Sequence, residues 1–154
     1  MPLWEIFHTA AAFAAPLSKA LLVQNITAYY VNAGLPAFYV NVLFRQMAGE
    51  DMWIGGRPAA AFPGADPEPE PLARPFVRLS IQHLAVHQPN ETAMVAMCDR
   101  IDKWLSPHFE DYDWEYNIEQ PPRALWRING IIPPPSGSEA ERKWVEEGRP
   151  SKWY

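Results

Sequence analysis

The chain has 154 residues, 48% of them hydrophobic and 13% aromatic, which supplies one buried core and excludes a disordered chain. Thirteen Lys and Arg stand against 18 Asp and Glu, a formal net charge of -5, so a broad nucleic-acid-binding surface is excluded too. The lone Cys98 can form neither an internal disulfide nor a thiolate metal site, and no apolar run approaches the ~20 residues needed to cross a bilayer.

The first residues, MPLWEIFHTAAAFAAP, lack a basic n-region, and Glu5 and His8 interrupt their apolar stretch. No secretory signal is expected, and a reducing cytoplasmic location is the default. Leu3–His8 reads as a short strand. Pro16 suits the first turn of a helix, in which Leu22, Ile26 and Tyr29/Tyr30 share one face. Asn32-Ala33-Gly34 stops that helix, with Pro36 just beyond. Phe38–Phe44 is almost continuously apolar and predicts a strand covered on both faces. Asp51–Gly56 reads as a short strand or hairpin closing on a Gly turn.

Residues 57–75 carry clustered prolines alternating with acids, as in Pro67-Glu68-Pro69-Glu70-Pro71. They cannot support a regular hydrogen-bond ladder and predict an extended, solvated linker. The second unit repeats the first. Phe76–Leu84 alternates, with Val77, Leu79, Ile81 and His83 on one face and Phe76, Arg78, Ser80 and Gln82 on the other. Pro89-Asn90 starts a helix striped by Met94, Met97, Ile101 and Leu105, and Ser106-Pro107 ends it. Tyr112–Ile118 is a further strand, with Tyr112, Trp114, Tyr116 and Ile118 on one face.

The expected fold is therefore α/β (α+β): two β-α-β units, about 2–56 and 75–132, within a single domain spanning 1–154. Right-handed crossovers would give a four-stranded sheet with both helices on one face. The bare face, carrying Phe38, Val40, Val42 and Phe44 or the alternate set, predicts cover by another copy of the chain. In the tail, 133–154, Ser138 and Glu141 form a capping box, and Gly148 and Pro150 stop a helix expected to lie on a surface. Trp153 and Tyr154 are suited to grip a neighbouring subunit.

No nucleotide-binding, nucleophile-elbow or zinc-protease motif occurs. His83 and His87 straddle a strand end, which makes a zinc site improbable. Pro2 is the informative residue. Removal of Met1 would expose a secondary amine, and apolar walls or nearby cations would keep it neutral near pH 7. It could then serve as general base and afterwards as general acid.

MPLWEIFH, KALLVQNITAYY, GLPAFYVNVLF and WRINGIIPPPSGSEAE together resemble the tautomerase superfamily over nearly the whole chain. Within it they resemble the fungal oxalocrotonate tautomerase-like group, related to cis-3-chloroacrylic acid dehalogenase. The resemblance implies two β-α-β units, a homotrimer, an amino-terminal proline base, and no organic cofactor or metal. By position it implies Pro2 as base, Tyr30 as the helix-end group orienting substrate, and Tyr116 as the strand tyrosine near the reacting atom. The dehalogenase's paired arginines are missing, since that region reads Gln82-His83-Leu84-Ala85-Val86-His87. A substrate carboxylate would then need Arg78, Arg123 or Arg127, with His83 as a further polar contact. Its water-activating acid is missing at Trp126-Arg127, and Glu119 is the nearest acid in sequence. The reaction implied is keto–enol tautomerisation of small 2-oxo or enol acids, with no membrane or nucleic-acid partner. The alternatives are a trimeric interaction protein with a vestigial site, or a hydratase, dehalogenase or decarboxylase of the same fold.

Overall fold

A computed structural model describes residues 1–61 and 63–154; Phe62, in the Pro-rich linker, lies outside the described residues. In chain order the elements are β1 (Pro2–His8), α1 (Ser18–Asn32), β2 (Asn41–Gln46), β3 (Trp53–Ile54), β4 (Arg57–Pro58), β5 (Phe76–His83), α2 (Glu91–Leu105), β6 (Asp113–Glu119) and α3 (Glu139–Glu147). The main sheet has the order β2-β1-β5-β6. β1 runs parallel to β2, and β5 parallel to β6. The two units meet through an antiparallel β1–β5 pair that sets Pro2 opposite His83 and Trp4 opposite Ile81.

Strand alternation decides which side chains are buried. Pro2, Trp4, Ile6 and His8 of β1, and Val77, Leu79, Ile81 and His83 of β5, turn inward. α1 lays Leu22, Ile26 and Tyr30 onto them, and α2 adds Met97, Ile101 and Leu105, so one core serves both units. Asn90 caps α2 by accepting from Ala93 N–H at 2.9 Å. α1 ends where Ala33 and Leu35 both donate N–H groups to the Tyr30 carbonyl, beside Gly34 at φ 87°.

Three expectations need correction, and one open alternative is resolved. Phe38 lies in a short 3-10 turn, Ala37–Tyr39, and the second strand starts only at Asn41. Val42 and Phe44 pack on the core, so the bare face carries the alternate set, Asn41, Leu43 and Arg45. That face is also more polar than expected, with Glu5 paired to Arg45 at 3.0 Å and Arg78 to Glu115 at 3.3 Å. The linker is not simply extended, because its first residues pair as β4 with β3 across Gly55-Gly56. Leu72 N–H then folds back onto the Pro58 carbonyl, and Arg57 pairs with Glu70.

The C-terminal helix is seated rather than laid on a surface. Ser138 accepts from Glu141 N–H, and Gly148 ends the helix at φ 64°. Trp144 is fully buried against Phe38 and Tyr39. Trp153 grips its own chain, donating from Nε1 to the Ile132 carbonyl at 2.7 Å, whereas Tyr154 is exposed.

Candidate active site

The inward alternation of β1 and β5 brings Pro2 and His83 side by side at one end of the sheet. The last turn of α1 delivers Tyr30 to the same place, because Leu22, Ile26 and Tyr30 recur every fourth residue along its buried face. These three residues line a cavity of about 630 Å³ with Tyr29 from α1 and Met97 and Arg100 from α2. The cavity combines apolar walls with a few convergent polar groups, the usual make-up of a small-molecule site.

A buried hydrogen-bond relay crosses it. Trp4 Nε1–H donates to the Tyr30 hydroxyl at 3.1 Å, and that hydroxyl lies 2.5 Å from His83 Nε2. Burial pushes the Tyr30 phenol well above its ordinary range, against the weaker pull of the Trp4 bond. Burial, with the neighbouring amino terminus and His87 adding to it, pushes His83 down to about 4. Neutral imidazole beside neutral phenol is therefore the resting state at pH 7. With its proton on Nδ1, His83 accepts the Tyr30 hydroxyl. With its proton on Nε2, it donates and frees that hydroxyl to point into the cavity.

The chain's amino nitrogen feels the same environment. In the structure it belongs to Met1, whose carbonyl accepts from Leu84 N–H at 3.0 Å. Burial first, and then the Arg123 guanidinium, push this amine down to about 4, while Glu141 pulls the other way. An amine, an imidazole and a phenol, all held uncharged around one cavity, are arranged for proton transfer.

A pH prediction follows from His83. Its proton affinity is lower in the folded than in the unfolded chain, so the unfolded chain binds the extra proton between about pH 6.5 and 4. Stability is therefore full above that window and falls as pH drops through it, by about 2–3 kcal/mol. The amino terminus, depressed in the same way, costs stability on acidification in both proteins. Urea unfolding of wild type and His83→Gln at pH 7.5 and pH 4.5 should therefore show an acid loss smaller in the variant by the His83 share, about 2–3 kcal/mol.

Not every expected residue reaches the cavity. Arg78 projects from the opposite sheet face, where it bonds Asn117 Oδ1 and Glu115. Tyr116 turns inward but under α2, donating its hydroxyl to Asp102 Oδ1 at 2.7 Å. Arg127 is exposed and bonds the carbonyls of Ala124 and Trp126. Arg123 stands behind the cavity wall, donating to the Ala85 carbonyl at 2.8 Å and to the Pro134 carbonyl. His87 donates to the Pro121 carbonyl at 2.8 Å and does not face His83 as a paired ligand.

Sequence reading missed Arg100, which lies on the cavity lining with no hydrogen bond or ion pair from its side chain among the described residues. Its signal was present. It stands three residues after the buried Met97 on α2, the spacing that brings a side chain round to the same face.

Comparison with known proteins bears on the family and the fold. A family model described as "Putative oxalocrotonate tautomerase enzyme" matches residues 1–149. No curated protein matches the chain by sequence. Among solved structures, a probable enzyme from the thermophilic fungus Aspergillus fumigatus is 40% identical, with 99% of this chain and 98% of that one covered and a TM-score of 0.82. Native RhCC from Rhodococcus jostii RHA1 is 34% identical, with 98% and 99% covered and a TM-score of 0.82. Two remote neighbours share the fold alone. N1, of the cis-3-chloroacrylic acid dehalogenase family, has 13% identity, 95% and 97% coverage and a TM-score of 0.63. A fused 4-OT wild-type asymmetric trimer has 19% identity, 84% and 94% coverage and a TM-score of 0.57.

Proposed function

Because this chain belongs to the oxalocrotonate tautomerase-like family, within the tautomerase superfamily, we propose that it is a proline-based keto–enol tautomerase of small 2-oxo or enol carboxylic acids. The observation that supports this most directly is the placing of Pro2 beside His83 and Tyr30 on one cavity. Once Met1 is removed, the neutral Pro2 nitrogen takes a proton from the carbon next to the carbonyl. The C–H electron pair moves to the oxygen as an enolate. The Tyr30 hydroxyl, steadied by Trp4 and His83, donates a hydrogen bond to that oxygen. The Pro2 ammonium then returns its proton to that oxygen, giving the enol, or in a conjugated enolate to the isomeric carbon. Ketonisation runs the first of these routes in reverse, from enol O–H to carbon. No cofactor takes part.

Arg100 is the cation suited to hold the substrate carboxylate in this reading. Arg100→Gln should raise KM for an enol acid about 10- to 100-fold and lower kcat far less, as expected for loss of one charge-assisted contact. An unchanged KM would move the carboxylate elsewhere. The bare sheet face is read as the surface through which copies of the chain associate into a trimer. A cytoplasmic location fits these small-acid substrates.

A second reading rests on Met1 itself. While Met1 is attached, the Pro2 nitrogen is an amide without basicity, and such a chain would serve as a scaffold only. Intact-mass measurement, paired with ultraviolet assay of phenylenolpyruvate and 2-hydroxymuconate, separates the two. A trimmed chain should ketonise one of these substrates, and a trimmed chain inert to both would overturn the tautomerase reading.

A further inference from the structure

A second polar cluster stands directly behind the Ala85 and Ser136 side of the cavity, and the reaction above does not use it. Arg123 is fixed there by the Ala85 and Pro134 carbonyls, with its guanidinium 5.1 Å from the centre of the Trp126 ring. Trp126 in turn meets Tyr39 edge-on at 4.7 Å. From the other side, Gly137, next to Ser136, donates its N–H to Glu141 Oε2 at 2.8 Å. The capping box of α3 thus delivers Glu141 to the core, where the residue is only 3% exposed.

Its second oxygen, Oε1, is buried and has no hydrogen-bond partner, and neither has the Tyr39 hydroxyl or the Trp126 indole nitrogen. Burying a carboxylate oxygen without a donor is costly, so such an atom in a native core calls for a reason. The nearby amino terminus offers one. A secondary amine that accepts a proton becomes an ammonium with two N–H groups. One carries the transferred proton toward substrate, and the other needs an acceptor.

We propose that Glu141 is a positioning residue of the Pro2 site: its free carboxylate oxygen accepts the second N–H of the Pro2 ammonium during turnover, with Arg123 as the opposing charge. This rests on the reading of Pro2 as the base. No bond at Glu141 is made or broken, since the carboxylate only accepts a hydrogen bond while the proton passes between carbon and nitrogen. The titratable and charged groups around the amine are His83 from β5, Tyr29 and Tyr30 from α1, Arg100 from α2, and Tyr39, Arg123 and Glu141. Glu141 is the one anion among them. At the Met1 amino group, one residue from the Pro2 nitrogen, it raises the proton affinity, whereas burial and Arg123 lower it.

The test is an NMR titration of trimmed protein carrying 15N-proline. Glu141→Gln keeps an oxygen for Gly137 N–H and the side chain's shape, but removes the charge. Its Pro2 midpoint should fall by about 1 pH unit, and that of Arg123→Gln should rise by a similar amount. Mere loosening would let water in and raise both midpoints toward the ordinary amine value. A raised or unmoved midpoint in Glu141→Gln therefore overturns the proposal. If that variant does not fold, the 13C resonance of the Glu141 carboxyl in wild type carries the test. It should move with the Pro2 midpoint, and a flat response across that range overturns the proposal. Neither readout needs turnover, so an inactive chain can pass and an active one can fail.

Discussion

Trimmed protein whose Pro2 nitrogen has been carbamoylated should turn over phenylenolpyruvate about 10²- to 10⁴-fold more slowly than untreated protein, the usual contribution of a positioned base. Carbamoylation turns the amine into a urea, which has no usable lone pair, and leaves the fold alone because Pro2 donates no strand hydrogen bond. The loss should fall on kcat and kcat/KM together, since the proton transfer occurs only in the transition state. In unmodified protein, kcat/KM should rise with pH through the amine's midpoint and then level off, because the free base is the active form. The environment already pulls an amino group at this end far below its ordinary value, so the plateau should be reached below pH 7. Reagent could also reach lysines, so Lys19, Lys103, Lys143 and Lys152 should be mapped by peptide mass in the same sample. Full activity with a fully modified Pro2 would remove the proline from the mechanism.

The parts of this site that repeat at short range were legible in the chain. Leu22, Ile26 and Tyr30 recur at helical spacing, and Val77 to His83 alternates as a half-buried strand must. Their inward faces could therefore be named before any fold was known. The Pro2–His83 pairing was not legible, because strand register across 81 residues depends on how the two units dock. The same limit explains Arg78, whose type suited a carboxylate but whose position on β5 turns it to the other face. Tyr116 has the inward parity, yet its hydroxyl is taken by Asp102, a contact that needs the packing of α2 over β6. Glu141 was read as the back half of a capping box, and its Oε2 does satisfy a backbone N–H near the helix start. The bond goes to Gly137 rather than Ser138, and the burial of its other oxygen depends on where α3 lands.

Where α3 lands is fixed by one side chain, so Trp144→Ala should be the most destabilising single substitution in the tail. Trp144 has no exposed surface, packs its ring on Phe38 and Tyr39, and donates Nε1–H to the Ser151 carbonyl at 2.8 Å. Truncating a buried Trp to Ala costs about 3–5 kcal/mol. In a chain of this size that lowers Tm by roughly 10–15 °C. Val145→Ala, on the same helix but 43% exposed, should stay within about 0.5 kcal/mol of wild type. The two variants separate docking from helix propensity, because both place Ala in the same nine-residue helix. A Trp144→Ala loss under about 1 kcal/mol would show that α3 contributes little to the core. The consequence then reaches the site, since Glu141 stands three residues before Trp144 on the same buried face and cannot stay inside if that anchor goes. In the folded fraction of Trp144→Ala, the Pro2 midpoint should lose its dependence on residue 141 even though β1, β5, α1 and α2 still hold Pro2, His83 and Tyr30 together.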